Sequence, residues 1–270
     1  MPELPEVETT RRGIAPHIQG ARISGVVVRQ PKLRWPIADN LAGLLTGRAI
    51  RSVERRAKYL LLNLANGTLI LHLGMSGSLR ILPPDTLAGK HDHFDLLFKH
   101  CCLRLRDPRR FGAVLWTDRP VVEHPLLAHL GPEPLSDLFN GEYLYRQAQK
   151  RRVAVKSLIM DGRIVVGAGN IYANEALFRA GIHPARAADR ISAERYARLS
   201  AEIKNVLTAA IRQGGTTLRD FQQEDGKPGY FAQELLVYGK AGAACPGCGT
   251  PLKQQRIGQR SSFYCSHCQR

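Results

Sequence analysis

The chain has 270 residues, of which 44% are hydrophobic and 23% are charged. No stretch approaches the roughly 18 consecutive apolar residues that a membrane-spanning helix needs, so the composition excludes a helical membrane protein. The formal charge of +16 and the pI of about 10.0 favour a polyanionic partner, with nucleic acid ahead of an anionic membrane surface.

The first predicted element is a helix in the opening sequence MPELPEVETTRRGI. Leu4, Val7 and Ile14 are spaced to share one helix face, and acidic residues precede basic ones, as the helix dipole favours. Acidic residues from Glu3 onward also break the basic-then-apolar order of a secretory signal. We therefore expect a cytoplasmic protein.

Pro2 follows the initiator methionine, and this position allows two interpretations. If Met1 is removed, Pro2 presents a secondary amine at the positive end of the helix, where the neutral and nucleophilic form is favoured. Such an amine has an ordinary pKa of about 8. Alternatively, Pro2 and Pro5 only stiffen a helix entrance, while Glu3 and Glu6 offset the dipole. Taken alone, these residues favour the second interpretation.

From about residue 26 to residue 116, short apolar runs alternate with Gly, Pro and Asn, which predicts several strands joined by turns. Asn66 and Gly67 lie between two apolar runs and predict a hairpin. Cys101 and Cys102 are adjacent in an apparent strand. Because neighbouring cysteines do not readily chelate one ion, we interpret them as buried or half-buried small apolar residues.

The character of the sequence changes near Leu130, where GPEPLSDLFNGEY is rich in Pro, Gly and acids and predicts a domain boundary. Beyond it, SAERYARLSAEIKNVLTAAIRQGG predicts a helix that ends at Gly214 and Gly215. Its apolar face consists of Leu199, Ile203, Val206, Ala210 and Ile211. GNIYANEALFRAGIHP predicts a turn and a second helix, so the second half of the chain is helical.

Basic residues cluster in RSVERRAK, RLRDPRR and QKRRVAVK. Each run taken singly is typical of a solvated face, but together they favour a phosphate-lined cleft between the domains. In DPRRFG, Arg109 and Phe111 form a cation and an aromatic that can enter a base stack, the alternative being that Phe111 belongs to the core. GAGNIYANE is a weaker signal for phosphate binding at a helix start.

Four cysteines near the end of the sequence have the spacing of a metal site. Cys245 and Cys248 form one CxxC pair, and Cys265 and Cys268 form another after sixteen intervening residues. Four thiolates suit tetrahedral zinc and leave no position open, so we predict one structural Zn²⁺ per chain. The alternatives are two local disulfides or free thiols, or His267 as a substitute ligand. No catalytic metal or organic cofactor is expected.

Seven segments along the chain carry a resemblance to a known family. They are PELPEVET, AKYLLL, HLGMSGSLR, DPRRFG, GNIYANEALF, DGKPGYFAQEL and the four-cysteine segment. Together they resemble the bacterial formamidopyrimidine-DNA glycosylases, enzymes that remove 8-oxoguanine and cleave the resulting abasic site. The resemblance implies an α+β multi-domain fold with an N-terminal β-sandwich, a helix-two-turn-helix domain and a C-terminal zinc-finger hairpin.

The resemblance also implies four domain segments. Residues 1–130 would form the N-terminal helix and the catalytic β-sandwich, and residues 131–141 would form a linker. The DNA-binding helix-two-turn-helix domain would span residues 142–234, and the zinc finger residues 235–270.

The resemblance implies the catalytic residues as well. Pro2 looks like the nucleophile that attacks the sugar of a damaged nucleoside, provided that Met1 is removed, and Glu3 looks like the acid or base that assists sugar opening. Lys58 matches a proton donor for β-elimination that also contacts phosphate. Arg260, on the zinc hairpin, matches the residue for δ-elimination.

Further positions match family contacts to DNA. Met75, Arg109 and Phe111 resemble the residues that fill the gap left by an extruded base, with Arg109 reading the opposite base. The backbone-contact positions are His91, Arg151 and Asn170. Lys150 can exchange roles with Arg151. Residues 216–230 resemble a mobile loop over the extruded base.

The expected partner is double-stranded DNA containing oxidised bases or abasic sites, with no membrane and with the protein as a monomer. Two other hypotheses compete with a purine-directed repair enzyme. One is a sister glycosylase acting on oxidised pyrimidines, which shares the N-terminal proline and the zinc finger. The other is a non-enzymatic zinc-dependent DNA-binding protein.

Overall fold

The computed structural model describes residues 2–215 and 234–270, and it divides into two compact units. The first unit contains residues 2–128 and 213–215, and the second contains residues 129–212 and 234–270. The segment 216–230, predicted to form a loop over the extruded base, lies outside the described residues. Every helix within the described residues is too short or too polar to span a lipid bilayer.

The first unit is built from two helices, eight strands and one 3-10 turn within its described residues. The helices are α1 (Leu4–Ile18) and α2 (Leu41–Leu45), and the 3-10 turn spans Val121–Glu123. The strands are β1 (Ile23–Val28), β2 (Ser52–Arg56), β3 (Tyr59–Leu64), β4 (Gly67–His72), β5 (Ser78–Leu82), β6 (Asp92–Phe98), β7 (Cys102–Arg106) and β8 (Ala113–Thr117).

These strands form two antiparallel sheets with a shared apolar core. One sheet has the order β1-β6-β7-β5 and the other has the order β2-β3-β4-β8. Alternate residues of β3, such as Leu60 and Leu62, and of β7, such as Leu103 and Leu105, are fully buried in one cluster. Because side chains alternate between the faces of a strand, this pattern closes two sheets over one core. The predicted β-sandwich is confirmed.

The hairpin predicted at Asn66 and Gly67 is present, but its turn is displaced by one residue. Leu64 pairs with Gly67, so Ala65 and Asn66 form the turn and Gly67 begins β4. Gly67 has a φ of 150°, and a Cβ there would lie 2.4 Å from the carbonyl oxygen of Thr117 on the neighbouring strand. Glycine is therefore required here because the neighbouring strand approaches closely, and not because of the turn itself.

The second unit contains four helices, a two-stranded hairpin and a 3-10 turn within its described residues. The helices are α3 (Gly141–Ala148), α4 (Val155–Met160), α5 (Asn170–Ala180) and α6 (Ala193–Arg212). The antiparallel strands are β9 (Lys253–Ile257) and β10 (Arg260–Tyr264), and the 3-10 turn spans Ala188–Arg190.

Both helices predicted in the second half are present where the sequence places them. The five apolar residues predicted to share a face of α6 are all buried. The helical spacing of apolar residues in the sequence therefore corresponds to the face of α6 that packs against the protein. α5 ends at Gly181, which has a left-handed backbone with φ 68°. Glycine accepts this conformation without the steric cost of a Cβ.

Candidate active site and nucleic-acid interface

Pro2 and Glu3 lie at the positive end of α1. Pro2 is buried, and Glu3 is the N-cap residue, with an extended backbone and only 3% exposure. The Glu3 N–H donates to the Glu6 carboxylate at 2.8 Å, which fixes the entry of the chain into the helix. If Met1 is removed, the Pro2 nitrogen becomes a free amine at this end of the helix, where the helix dipole disfavours the protonated form of an amine.

Lys58 lies in the two-residue turn between β2 and β3. Its neighbour Ala57 has a φ of 55°, which is uncommon for a residue with a side chain. Arg55 holds this turn, because its Nη1 donates to the Ala57 carbonyl at 2.8 Å while its Nε donates to Glu8 of α1 at 3.2 Å. Arg55 and Glu8 thus join the turn that carries Lys58 to the helix that carries Pro2.

Glu8 is the anchor of this connection. Burial raises the pKa of its carboxyl, but hydrogen bonds from Arg11 and Arg12 and the charge of Arg55 prevail and lower the pKa to about 2. Glu8 is therefore ionised at neutral pH. Sequence reasoning missed the contact between Glu8 and Arg55, because the two residues lie 47 positions apart in the chain and no local pattern indicates that they meet.

His72 lies beside Lys58 and organises the next loop. Its ring centre lies 4.8 Å from that of Tyr59, with the two rings tilted by 47°, and its Nδ1 accepts a hydrogen bond from the Gly74 N–H at 3.0 Å. Burial and the charges of Lys58 and Arg34 lower its pKa to about 4. His72 is therefore neutral at pH 7, which leaves Nδ1 free to accept.

Met75, Arg109 and Phe111 lie on two loops that touch. Gly74 has a φ of 63°, and a Cβ there would lie 2.4 Å from the Phe111 carbonyl carbon, so the backbones of the two loops pack directly. The Arg109 guanidinium stacks 5.0 Å from the ring centre of Phe111. Phe111 is 43% exposed, which contradicts the alternative that it belongs to the core. A solvent-facing cation and aromatic pair suits insertion into a base stack.

Asp107 connects these two loops through hydrogen bonds. It is fully buried, and its carboxylate accepts from the Gly112 N–H at 2.7 Å and from the Ser76 hydroxyl at 3.4 Å. Its own N–H donates to the carbonyl of His91 at 2.9 Å, which places His91 at the edge of the same cluster. The four predicted contacts Met75, His91, Arg109 and Phe111 therefore occupy neighbouring loops of the first unit.

Arg151 and Asn170 lie in the second unit. Arg151 is exposed in the connection after α3, beside Lys150, which has a left-handed φ of 62°. Asn170 is the first residue of α5, and its Oδ1 is buried without a hydrogen-bond partner in the described structure. Backbone N–H groups at a helix start favour phosphate, so this position is compatible with the predicted contact to a DNA backbone.

The four cysteines form one compact cluster. Their Sγ atoms all lie within 4.8 Å of one another, with Cys245 and Cys268 at 3.9 Å and Cys248 and Cys265 at 3.4 Å. A tetrahedral ion bound by four thiolates at about 2.3 Å needs sulfur atoms about 3.8 Å apart, so the geometry fits zinc. The Gly247 N–H donates to Cys245 and the Cys268 N–H to Cys265, both at 3.4 Å, as outer contacts that orient the thiolates.

Arg260 lies at the tip of the hairpin that this cluster supports. It is exposed and pairs with Ile257 across the turn formed by Gly258 and Gln259. Gly258 has a φ of 57°, which a turn of this kind requires. The hairpin therefore presents the guanidinium of Arg260 outward from a metal-stabilised base.

Two side chains of the helical region hold the hairpin in place. The Nζ of Lys156 donates to the Ser261 carbonyl at 2.8 Å and to the Ser262 hydroxyl at 2.7 Å, and Lys156 is only 1% exposed. The Oδ1 of Asn174 accepts from the Phe263 N–H at 2.7 Å. These positioning residues of Arg260 were missed by sequence reasoning, because they lie 89 to 106 residues from their partners.

Glu175 fixes the segment that leads into the zinc finger. Its carboxylate is 1% exposed and accepts from the N–H groups of Leu236, Val237 and Tyr238 at 2.8, 3.0 and 2.9 Å. Hydrogen bonds to an ionised acceptor are about twice as strong as neutral ones. Glu175 therefore sets where residues 236–238 lie against α5.

Glu175→Gln is expected to loosen this attachment. The amide keeps one acceptor oxygen, but it removes the charge and turns an N–H₂ group toward backbone donors. The free energy of local opening is therefore expected to fall by about 2 to 3 kcal/mol. Amide hydrogen exchange measures it as a lower free energy of local opening at residues 236–238. Glu142→Gln, at an exposed site in the first turn of α3, is the control and should change opening by less than about 0.5 kcal/mol. Equal effects of both variants would contradict the assignment.

The predicted catalytic residues are distributed over the two units. Pro2, Glu3 and Lys58 lie in the first unit, and Arg260 lies in the second. The DNA-contact candidates divide in the same way. The first unit holds Met75, His91, Arg109 and Phe111, and the second holds Arg151 and Asn170.

Three family models match successive parts of the chain. The formamidopyrimidine-DNA glycosylase N-terminal domain matches residues 1–114, and the formamidopyrimidine-DNA glycosylase H2TH domain matches residues 130–222. The zinc finger found in FPG and IleRS matches residues 242–270. The last match and the thiolate geometry together confirm the prediction of one structural zinc, held by Cys245, Cys248, Cys265 and Cys268.

Curated relatives and solved structures match over the whole chain. The formamidopyrimidine-DNA glycosylases of Methylococcus capsulatus and Marinobacter nauticus are 61% and 60% identical, with 100% of both chains covered. The MutM (Fpg) crystal structure from Thermus thermophilus has 39% identity and a TM-score of 0.89, covering 99% of this chain and 98% of that one. Lactococcus lactis Fpg in complex with DNA containing an abasic site has 32% identity and a TM-score of 0.91, covering 99% of each chain. The chain therefore belongs to the formamidopyrimidine-DNA glycosylase family.

Proposed function

We propose that this protein repairs oxidised purines in double-stranded DNA through a covalent intermediate on Pro2. It is a DNA glycosylase of base excision repair that also cleaves abasic sites, and its lesions are 8-oxoguanine and formamidopyrimidines. The observation that carries the assignment is the Pro2 and Glu3 pair at the positive end of α1, in a chain that matches its family over its full length.

In the first step, the Pro2 amine attacks C1′ of the damaged nucleotide. The bond from C1′ to the base breaks, the base leaves with a proton, and the sugar ring opens to leave an iminium between Pro2 and the sugar. Glu3 supplies or removes the proton at the ring oxygen, because its carboxylate lies next to the nucleophile in sequence and at the same helix end.

In the second step, the iminium acts as an electron sink. It makes the adjacent sugar proton acidic, so that the 3′ phosphate leaves by β-elimination and the 5′ phosphate by δ-elimination. Lys58 is the proton donor and phosphate contact for the first elimination, and Arg260 acts in the second. Water hydrolyses the remaining imine and releases Pro2.

The lesion reaches Pro2 by leaving the helix stack. Met75, Arg109 and Phe111 fill the gap, and Arg109 reads the opposite base, which is supported by the exposure of Phe111 and by its stacking with Arg109. His91, Arg151 and Asn170 grip the backbone. The zinc has a structural role, because four thiolates leave no position open for water or substrate.

We place this activity in the bacterial cytoplasm, at the nucleoid, through the affinity of a +16 chain for DNA. The protein acts as a monomer on duplex DNA.

Borohydride trapping tests the covalent step. Reduction in the presence of a duplex containing 8-oxoguanine is expected to give one covalent protein–DNA adduct, with the peptide that begins at Pro2 as its site. An adduct through Lys58 would show that Pro2 is not the nucleophile. The absence of any adduct would favour a non-enzymatic DNA-binding protein. Faster release from a thymine glycol duplex than from an 8-oxoguanine duplex would instead place the chain with the enzymes for oxidised pyrimidines.

A further inference from the structure

A buried arginine of the β-sandwich holds the loop that carries His91. This loop, residues 83–91, connects β5 to β6 and contains no helix or strand. Arg104 lies in β7 and is only 3% exposed. Its Nη2 donates to the Thr86 carbonyl at 2.8 Å, and its Nη1 donates to the Leu87 carbonyl at 2.9 Å. One guanidinium therefore fixes two successive peptide groups in the middle of the loop.

Arg104 is itself fixed by Asp95 of β6, whose side chain is fully buried. The Nε of Arg104 donates to one carboxylate oxygen and its Nη2 to the other, both at 2.9 Å. Arg29 donates to the same carboxylate at 2.7 Å. Burial raises the pKa of Asp95, but the hydrogen bonds from Arg104 and Arg29 prevail and lower it, so the carboxylate is ionised at neutral pH. Arg104 is thus held rigidly from the side that faces the sheet.

Asp92 extends this network to the end of the loop, directly beside His91. One oxygen of its carboxylate accepts from the Gly89 N–H at 2.8 Å, and the Asp92 N–H donates to the Gly89 carbonyl at 3.1 Å. The same carboxylate oxygen lies 3.7 Å from the Nη1 of Arg104. The middle of the loop and the turn that leads into His91 are therefore joined through a single guanidinium.

This arrangement requires an arginine. A guanidinium is a planar fork that can bind a carboxylate with one edge and carbonyl groups with the next, whereas a lysine ammonium is a point charge on a flexible stem. The Leu87 side chain is 92% exposed, so burial of this apolar residue does not anchor the loop. The main-chain carbonyls held by Arg104 therefore set the path of the loop at this point.

We infer that Arg104 is a positioning residue for the contact between His91 and the DNA backbone. This inference rests on the proposed function, in which His91 grips the backbone. Arg104 does not touch DNA in this assignment, because it is buried beneath the loop. It acts by holding loop 83–91 in the conformation that presents His91, so that the loop is ordered before DNA arrives and less ordering has to occur on binding.

Binding of the full chain to an undamaged duplex at constant salt tests this role. Arg104→Lys keeps the charge of the protein and the pairing with Asp95 but loses the fork, so affinity is expected to fall about 10-fold. Amide hydrogen exchange at Gly89 and Asp92 should become faster in the same variant. Arg29→Lys is the matched control, because Arg29 shares Asp95 but its side chain makes no hydrogen bond to the loop within the described structure. It should bind within about twofold of the wild type.

A double-mutant cycle separates positioning of His91 from a general loss of stability. His91→Ala alone is expected to weaken binding about 10-fold, and adding Arg104→Lys to it should weaken binding no further, because the residue that Arg104 positions is already gone. Additive losses of about 100-fold would overturn the inference. Equal affinities of folded Arg104→Lys and Arg29→Lys proteins would overturn it as well.

Asp92→Ala keeps the inference testable if Arg104→Lys does not fold. Asp92 is half-buried, and its replacement removes the acceptor of the Gly89 N–H. Loss of a negative charge by itself strengthens binding to DNA, so weaker binding by this variant can only come from the altered loop. Binding equal to or tighter than that of the wild type would contradict the role of the network.

Two further results distinguish this inference from the proposed function. Wild-type affinity of His91→Ala would remove both the backbone contact and the positioning role of Arg104. A wild type that shows the expected binding cycle but excises no 8-oxoguanine would contradict the proposed function and leave the role of Arg104 in DNA binding standing.

Discussion

Replacing Pro2 with leucine is expected to reduce excision of 8-oxoguanine by at least about 1,000-fold and to abolish borohydride trapping. A large second residue keeps the initiator methionine in place, so the secondary amine is removed and the new N-terminus is displaced by one residue. Glu3 and the dipole of α1 remain, but they have no nucleophile to assist. Single-turnover excision under excess enzyme isolates this chemical step from product release.

Pro5→Ala is the matched control for this experiment. Pro5 is also buried in the first turn of α1, where proline only stiffens the helix start. Its replacement should leave excision within about threefold of the wild type, because alanine is a good helix former and no amine is changed. The nucleophile assignment would not survive if Pro2→Leu retained trapping, or if Pro5→Ala lost as much activity.

Cys265→Ala is expected to eliminate the bound zinc and to disorder the hairpin that carries Arg260. Cys265 is fully buried in a small cluster with Val237, Leu252 and Phe263, so the tail has only a small apolar core of its own. A structural zinc site contributes about 10 kcal/mol or more to the folding of such a module. Zinc content measured by atomic spectroscopy should fall from one per chain to none, and strand cleavage should fall about 100-fold or more.

Cys102→Ala provides the matched control, because Cys102 is equally buried but lies in β7 of the β-sandwich. Both Cys101 and Cys102 are buried, as predicted. The Cys102 thiol contacts no other cysteine of the cluster, so zinc content should stay at one, and stability should fall by only about 1 kcal/mol. Treatment with a chelator should reproduce the Cys265→Ala result in the wild type. Full strand cleavage by zinc-free protein would show that the hairpin folds without the metal.

In the proposed mechanism, the two ends of the chain supply different parts of one reaction. The N-terminal helix carries the nucleophile, and the C-terminal hairpin carries a cation whose position depends on a metal. Within each unit, buried ionic contacts fix the local geometry. Glu8 and Arg55 hold the turn of Lys58, and Glu175 holds the approach to the finger.

Short-range patterns in the sequence were sufficient for the elements and for the metal site. The period of the apolar residues predicted α6 and its buried face, and the start and stop residues predicted α5. The two CxxC pairs predicted zinc, because ligand spacing is itself the chemical requirement. The hairpin at Asn66 was predicted, but its turn was not, since the contact between Gly67 and Thr117 on β8 decides which residue must be glycine.

The positioning of the site came from tertiary structure alone. Arg55 and Glu8 are charged surface residues by pattern, Lys156 and Asn174 are ordinary helix residues, and Gly74 is one glycine among 25. Their roles follow from partners far away in the chain, such as the Phe111 backbone against Gly74. A sequence determines which residues can perform chemistry, because it specifies the residue types and their local spacing directly. Which of them meet depends on long-range packing that no short window of sequence contains.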